Sequence, residues 1–248
     1  MRSSLTGVAL VTGSSGGTGH AVAKALAERG LSLCLNGRDA GRLQDSASEM
    51  RSAAARIVVR QADLSTDGGI RGLVEDVSKD FGRMDVLVHA AGTLCLGNIE
   101  AAAWGDLDEQ YRVNLRAPFL LTKASLPMLK ASRGQIVFIN STAGLAAGAD
   151  NGLYAATKSA LRSLSGSIRD HVNSLGIRVL SVYPGRMATP MQEAVHRFEG
   201  DTYEPETLLQ PADVANAIVA ALELPRTAEV TDIMLRPMKK FLSRRTDQ

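Results

Sequence analysis

The stretch "LVTGSSGGTGH", Leu10–His20, decides how the rest of the chain is read. It holds two patterns at once. Gly13-x-Ser15-x-Gly17 matches the elbow that presents a serine nucleophile in hydrolases, and Thr12-Gly13-x-x-x-Gly17-x-Gly19 matches a loop that cradles a dinucleotide phosphate. Context separates them. The apolar run "VALVT" (8–12) leads into the loop, and a helix-periodic stretch around 18–29 leaves it. A helix N-terminus placed there offers free N–H groups and partial positive charge to a pyrophosphate, and glycines let the backbone come close. Ser14 and Ser15 can add hydroxyl donors. A hydrolase elbow sits deeper in its chain, after several strands. His171 and His196 follow in an order that could supply a base, but no HGGG-type oxyanion loop is visible. The phosphate reading is favoured, and a serine hydrolase using the Gly13-Ser15-Gly17 turn is kept as a remote alternative.

Outward from this turn, short apolar runs alternate with helical patterns. "LSLCLN" (31–36), "RIVVRQA" (56–62), "MDVLVHAAG" (84–92), "GQIVFINS" (134–141), "IRVLSVYPG" (177–185) and "EVTDIMLR" (229–236) complete a set of seven strand-like runs. Runs apolar on both faces, strictly alternating with helices, predict an α/β fold: a doubly wound, seven-stranded parallel sheet with helices on both faces and right-handed crossovers. No linker or internal repeat interrupts 1–248, which reads as one domain. The basic cluster "KKFLSRR" (239–245) reads as a solvated tail.

The totals narrow the function classes. A net charge of +2 provides no general field for nucleic acid or an anionic membrane, and 4% aromatic residues leave few platforms for base stacking. Two cysteines without C-x-x-C spacing argue against a disulfide framework or a zinc site; Cys34 reads as core and Cys95 as a loop thiol. "MRSSLTG" lacks the apolar stretch of a signal peptide, and no run of about eighteen apolar residues suggests a membrane helix. A soluble, cytoplasmic protein with no nucleic-acid or membrane partner is expected.

A second constellation lies in "STAGLAAGADNGLYAATKSAL" (141–161). Tyr154 and Lys158 are four apart in a helical stretch, which puts them on one face about one turn apart. A free phenol, with a pKa of about 10, exchanges protons poorly at neutral pH. An ammonium ~4 Å away at an effective dielectric of ~20 attracts the phenolate by about 4 kcal/mol, enough to lower the phenol pKa by up to roughly 3 before desolvation opposes it. Thr12-Gly13-x-x-x-Gly17-x-Gly19, Ser141, Tyr154-x-x-x-Lys158 and Tyr183-Pro184-Gly185 occur in order, with twelve residues between Ser141 and Tyr154. Together they resemble the short-chain dehydrogenase/reductase family over nearly the full chain, which implies a Rossmann fold and hydride transfer between a nicotinamide and a carbonyl or alcohol carbon.

That resemblance implies roles. Tyr154 is the acid/base. Lys158 lowers its pKa and bonds the nicotinamide ribose. Ser141 holds the substrate oxygen, and Asn114 in "YRVNLRAPF" orients a relay water through a helix carbonyl. Gly13, Ser15, Gly17, Thr18 and Gly19 form the phosphate turn. Asp63 and Leu64 lie beside the adenine, Ala90 and Gly92 on the cofactor path, and Pro184, Gly185, Met187 and Thr189 wrap the nicotinamide. Asn114, Asp63 and Thr189 also have local readings, as a cap or turn residue. "HAAG" (89–92) departs from the family's N-N-A-G: His89 reads as a core histidine rather than a base, and Thr18 replaces the usual isoleucine.

Counting about twenty residues past the glycine turn reaches Asp39, the position of an NAD-type acid. Strand-end alignment places that acid instead at Gly37, followed by Arg38, whose guanidinium suits a 2′-phosphate. NADP(H) is favoured over NAD(H), with Asp39 toward solvent. The substrate pocket is expected from "TLCLGN" (93–98), residues after Ser141 and 187–209, with Leu96, Met187 and Met191 as apolar walls; 196–209 is either a lid or a surface connection. A small ketone, aldehyde or hydroxy-acid-sized substrate is expected. The C-terminal "EVTDIMLRPMKK" resembles the 3-hydroxy acid and serine dehydrogenase group. The family implies a homotetramer or dimer through the helices carrying Asn114 and Tyr154. A non-enzymatic NADP sensor on the same fold is the main alternative.

Overall fold

The computed structural model describes residues 5–239. Seven strands, β1 (Val8–Thr12), β2 (Ser32–Gly37), β3 (Ile57–Gln61), β4 (Val86–His89), β5 (Gln135–Ile139), β6 (Arg178–Pro184) and β7 (Asp232–Leu235), form one sheet. Their order is β3-β2-β1-β4-β5-β6-β7 and every pairing is parallel. The helices between them are α1 (Gly17–Ala27), α2 (Ala40–Met50), α3 (Asp67–Phe81), α4 (Asp106–Tyr111), α5 (Ala117–Ser132), α6 (Gly152–Asn173), α7 (Pro190–Glu199) and α8 (Pro211–Leu222). The doubly wound parallel sheet expected from the sequence is the fold observed.

Alternation along each strand builds two cores. Ala9, Val11, Leu33, Leu35, Val86 and Val88 face one side and pack under α1, α2 and α8, on residues such as Val22, Leu26, Leu43 and Ile218. Leu10, Cys34, Leu87, Ile136 and Phe138 face the other and pack under α3, α5 and α6, on residues such as Leu73, Leu121 and Leu161. Cys34 is core, and burial pushes its thiol up to about 12. The edge strands depart from the expectation of burial on both faces: β3 is half-buried and β7 alternates between exposed and half-buried.

Two strands, β4 and β7, fall furthest short of their apolar runs. β4 stops at His89 because the next two N–H groups turn away from the ladder: Ala90 and Ala91 donate to Thr12 Oγ1 at 3.0 and 3.1 Å. β7 begins only at Asp232; ahead of it, the Glu229 side chain takes the Val179 N–H at 2.7 Å in place of a backbone acceptor, before Thr231 O accepts from Ser181 N–H.

The chain reverses its winding between β1 and β4, which pair on the far side of β1 from β2. Ligands of such sheets bind at that switch point, beyond the carboxyl ends of the strands. Of the "KKFLSRR" cluster only Lys239 falls within the described residues. Among the described residues no helix is long and apolar enough to cross a membrane, and no His/Cys/Asp/Glu cluster could hold a metal.

Candidate active site

A cleft of about 880 Å³ opens at the carboxyl ends of the central strands. That is large enough for a dinucleotide with a small second molecule beside it. The glycine turn, the residues after β2 and β4, the ends of β5 and β6, the start of α6, and α7 line it.

At the turn, Gly13 has φ +65° and Gly17 φ +55°, which glycine adopts without strain. A Cβ at Gly13 would also lie 2.8 Å from the Ala91 backbone, so the turn closes onto the β4 loop only with glycine there. Ser15, Gly17, Thr18 and Gly19 line the cleft as expected. Ser14 does not: it is buried, and its N–H and hydroxyl both bond Asn36 O. Thr18 bonds Met187 Sδ at 3.5 Å, so the residue that replaces the family isoleucine ties the turn to the loop after β6.

The second strand settles the acid-versus-base question at its end. Asp39 is exposed and does not line the cleft, as expected. Its carboxylate accepts from Arg42 N–H at 3.0 Å and caps α2. Arg38 lines the cleft with a backbone carbonyl fixed by Gln61. Arg42, which sequence reasoning missed, lines it too: a Cβ at Gly16 would lie 2.8 Å from its Nη2, so the guanidinium leans on the glycine turn. The signal was available, since the acid at Asp39 starts a helix and Arg42 is one turn along it. Asp63 and Leu64 line the same end; Asp63 also accepts from Ser65 N–H at 2.9 Å, so its turn role and its place on the cleft coexist.

On the other side of the switch point, Ala90 and Gly92 line the cleft, and Thr12 holds their loop. His89 lies beneath, fully buried. It bonds Thr122 Oγ1 at 2.8 Å and stacks on Phe138 with ring centroids 4.8 Å apart. Burial pushes its imidazole down to about 3, so it is a neutral core residue joining β4 to α5.

Ser141, Tyr154 and Lys158 meet at the cleft floor, brought there from the end of β5 and from the first turns of α6. Ser141 Oγ accepts from Ala143 N–H at 3.1 Å, which orients the hydroxyl, and its side chain acts on the Tyr154 phenol to lower its pKa. Lys158 is buried; its Nζ donates to Ile139 O at 2.9 Å and lies 5.6 Å from the Tyr154 ring centroid. The expected acidification of the phenol by this lysine is not what the protein alone produces. Burial pushes Tyr154 up to about 12, opposed by the Ser141 bond, and burial pushes Lys158 down to about 8. Desolvation governs both groups because both leave water, and the ammonium is committed to the Ile139 carbonyl.

Asn114 sits in a π-turn (Arg112–Arg116) between α4 and α5. Its side chain accepts from Thr93 N–H and donates to Thr93 O, both at 2.9 Å, and donates to Thr157 Oγ1 at 3.2 Å. The local reading of this residue is therefore correct for its amide. The π-turn, a feature frequent at functional sites, shifts the backbone bonding to an i→i+5 pattern, as in Ala117 N–H to Arg112 O.

Pro184, Gly185, Met187 and Thr189 line the cleft after β6. Thr189 caps α7, accepting from Gln192 N–H at 3.3 Å, and its Cγ2 approaches the position a Gly17 Cβ would take. The cover over the cleft is α7 itself, through Met191, Gln192, Val195, Phe198 and Glu199, while 201–209 packs behind it, with Tyr203 edge-on to buried His196 and a bridge from Leu209 to Met187. The lid-or-connection segment thus divides at Gly200. No histidine lines the cleft among the described residues, which leaves Ser15 without a base and removes the hydrolase reading.

The comparisons agree with this geometry. Residues 7–200 match the family model for short chain dehydrogenase. An uncharacterized oxidoreductase of Staphylococcus epidermidis is 32% identical over 232 residues, covering 93% of this chain and 97% of its own. An alcohol dehydrogenase from the archaeon Thermococcus sibiricus, complexed with 5-hydroxy-NADP, superimposes with a TM-score of 0.86 at 27% identity, covering 96% of this chain and 99% of that one. A metagenomic short-chain oxidoreductase in complex with NADP gives 0.81 at 29% identity, covering 94% and 97%. With its fold, its glycine turn and its Ser141–Tyr154–Lys158 group in one cleft, the chain belongs to the short-chain dehydrogenase/reductase family and is an oxidoreductase of that family.

Proposed function

We propose that the protein is an NADP(H)-dependent oxidoreductase that interconverts a small carbonyl compound and its alcohol, with 1–248 as one catalytic domain. The observation that carries the reading is the shared cleft: a glycine turn at one end and the Ser141–Tyr154 hydroxyl pair at the other. The residues fit the cofactor. The turn admits only glycine at residue 13, and Asn36 Oδ1 and Asn140 Nδ2, on two residues that line the cleft, are buried polar atoms without a partner in the protein. Arg38 and Arg42 would hold the 2′-phosphate, as guanidinium forks do. Similar proteins crystallised with NADP and 5-hydroxy-NADP support this choice over NAD.

When bound, NADPH supplies the hydride. The chain's own residues supply position and a proton. Ser141 and Tyr154 bond the substrate oxygen. In reduction the carbonyl carbon gains the hydride and the oxygen gains the phenolic proton, after which Tyr154 is reprotonated from solvent. With burial holding Tyr154 near 12, the phenol is protonated at neutral pH, the form that donates to the oxygen in reduction. Lys158 would then hold the cofactor ribose and steady the transient phenolate, and the Asn114 turn would return protons from solvent.

A homo-oligomer, dimer or tetramer, is proposed through α4, α5 and α6; exposed Trp104, Leu107, Tyr111 and Phe119 in and beside α4 and α5 support it. A cytoplasmic location remains part of the proposal. The C-terminal likeness to 3-hydroxy acid and serine dehydrogenases is carried by 229–240, and of its described residues, 229–239, none lines the cleft.

The test is a panel of ketones and aldehydes followed by NADPH absorbance. Reduction of any member confirms an enzyme. Tight NADPH binding without turnover across the panel would favour the sensor instead.

A further inference from the structure

The substrate end of the cleft has a charge arrangement that selects among carbonyl compounds. Its one surface cation among the described lining residues is Arg186, directly after the Pro184-Gly185 turn. Arg186 is held by Glu199, at the last turn of α7, through two bonds: Nη1 to Oε2 at 2.6 Å and Nη2 to Oε1 at 2.7 Å. Such a bidentate pair uses the same fork that would otherwise grip a substrate carboxylate. The remaining cation here, Lys158, is buried with its Nζ on Ile139 O.

The rest of the wall is apolar. Met191, Val195 and Phe198 are spaced as one stripe of α7 and line the cleft, as do Leu94, Leu96 and Val113. Met191 and Phe198 remain 39% and 50% exposed, so the protein itself leaves this stripe without a cover. An apolar molecule lying on it would bury that surface at about 25 cal/mol per Å². A carboxylate there would lose its water and find the Arg186 fork already taken by Glu199.

Building on the reductase reading above, we propose that the substrate is an uncharged carbonyl compound with an apolar body, and that Glu199 sets this specificity by occupying Arg186, so that keto acids are excluded. Glu199 acts through Arg186; it is a positioning residue and takes no part in hydride or proton transfer. The inference narrows the expectation of hydroxy-acid-sized substrates to neutral ones.

The experiment uses matched probes with NADPH: 7-oxooctanoate against its methyl ester, and 4-formylbenzoate against its methyl ester. In the wild type the esters are expected to exceed the acids in kcat/KM by at least ~10-fold, the scale of one lost charge-assisted hydrogen bond. Glu199→Gln releases the Arg186 fork and should shift the acid-to-ester ratio at least ~10-fold toward the acids, and the double variant Arg186→Gln/Glu199→Gln should lose that gain. A purely structural pair would lower both members of each set together. Acids reduced as well as esters by the wild type, or an acid-to-ester ratio unmoved in Glu199→Gln with NADPH affinity intact, overturns the proposal. Acid preference that still depends on Tyr154 defeats only this substrate class, whereas turnover that survives Tyr154→Phe defeats the reductase reading beneath it.

Discussion

Arg38 and Arg42, at one end of the cleft, have no carboxylate within ion-pair distance among the described residues, whereas Arg186 at the other end is clamped by Glu199. The same residue type in the same cavity is therefore left open in one place and closed in another. A guanidinium without a partner loses little by waiting in solvent and gains two charge-assisted bonds when a phosphate arrives. One already paired must break those bonds first. The contrast divides the cleft into an anion-accepting half and a neutral, apolar half that holds the Tyr154 hydroxyl.

The largest effect that would sharpen this division concerns Lys158. Lys158→Met should lower kcat/KM for reduction by about 10²–10³-fold, the range of a positioned acid–base partner. In the wild type the lysine has its charge below about 8 and loses it above, because burial has moved it down from the ordinary lysine value. Since kcat/KM reports groups of the free enzyme, it should fall as pH rises through about 8, and that limb should vanish in the variant. A flat profile from pH 7 to 9 would separate Lys158 from the chemistry.

Next comes the open half. Arg38→Ala and Arg42→Ala should each raise the NADPH Kd by about 10–100-fold, one or two charge-assisted bonds, and leave NADH nearly unchanged. Fluorescence titration with both cofactors measures this. Equal losses for NADPH and NADH would break the comparison, since neither arginine would then be reading the 2′-phosphate.

A smaller effect concerns the floor between the halves. His89 is held neutral by burial, with its pKa lowered to about 3. The unfolded chain takes up a proton below about 6.5 that the folded protein refuses, so stability is fully present at neutral pH and is lost as pH falls from 6.5 toward 3, at most ~1.4 kcal/mol per pH unit. Urea unfolding of wild type against His89→Asn should converge or cross toward pH 4. Parallel pH curves would place the acid sensitivity elsewhere.

How much of this was legible in the sequence follows the same division. The phosphate end rests on backbone geometry and strand-end spacing, both of which leave regular marks: glycines at fixed offsets, an apolar run ending at Asn36, a base just beyond it. The strand set and the Ser141–Tyr154–Lys158 group were legible for that reason. The loss came where side chains from distant segments meet. That Ser14 turns inward onto Asn36 depends on how β2 lies beside the turn, and that Arg42 reaches Gly16 depends on where α2 begins. The pairing of Arg186 with Glu199 joins residues thirteen apart across a helix whose tilt no local pattern encodes. The raised phenol pKa was missed because pairwise attraction was visible in the spacing and desolvation was not.

Tyr154→Phe tests the centre of the account most directly, with NADPH affinity and carbonyl reduction measured on the same preparation. The account predicts a Kd within about twofold of wild type and a loss in kcat of about 10²–10⁴-fold, the share of a positioned general acid. Retention of wild-type kcat with NADPH bound would contradict it.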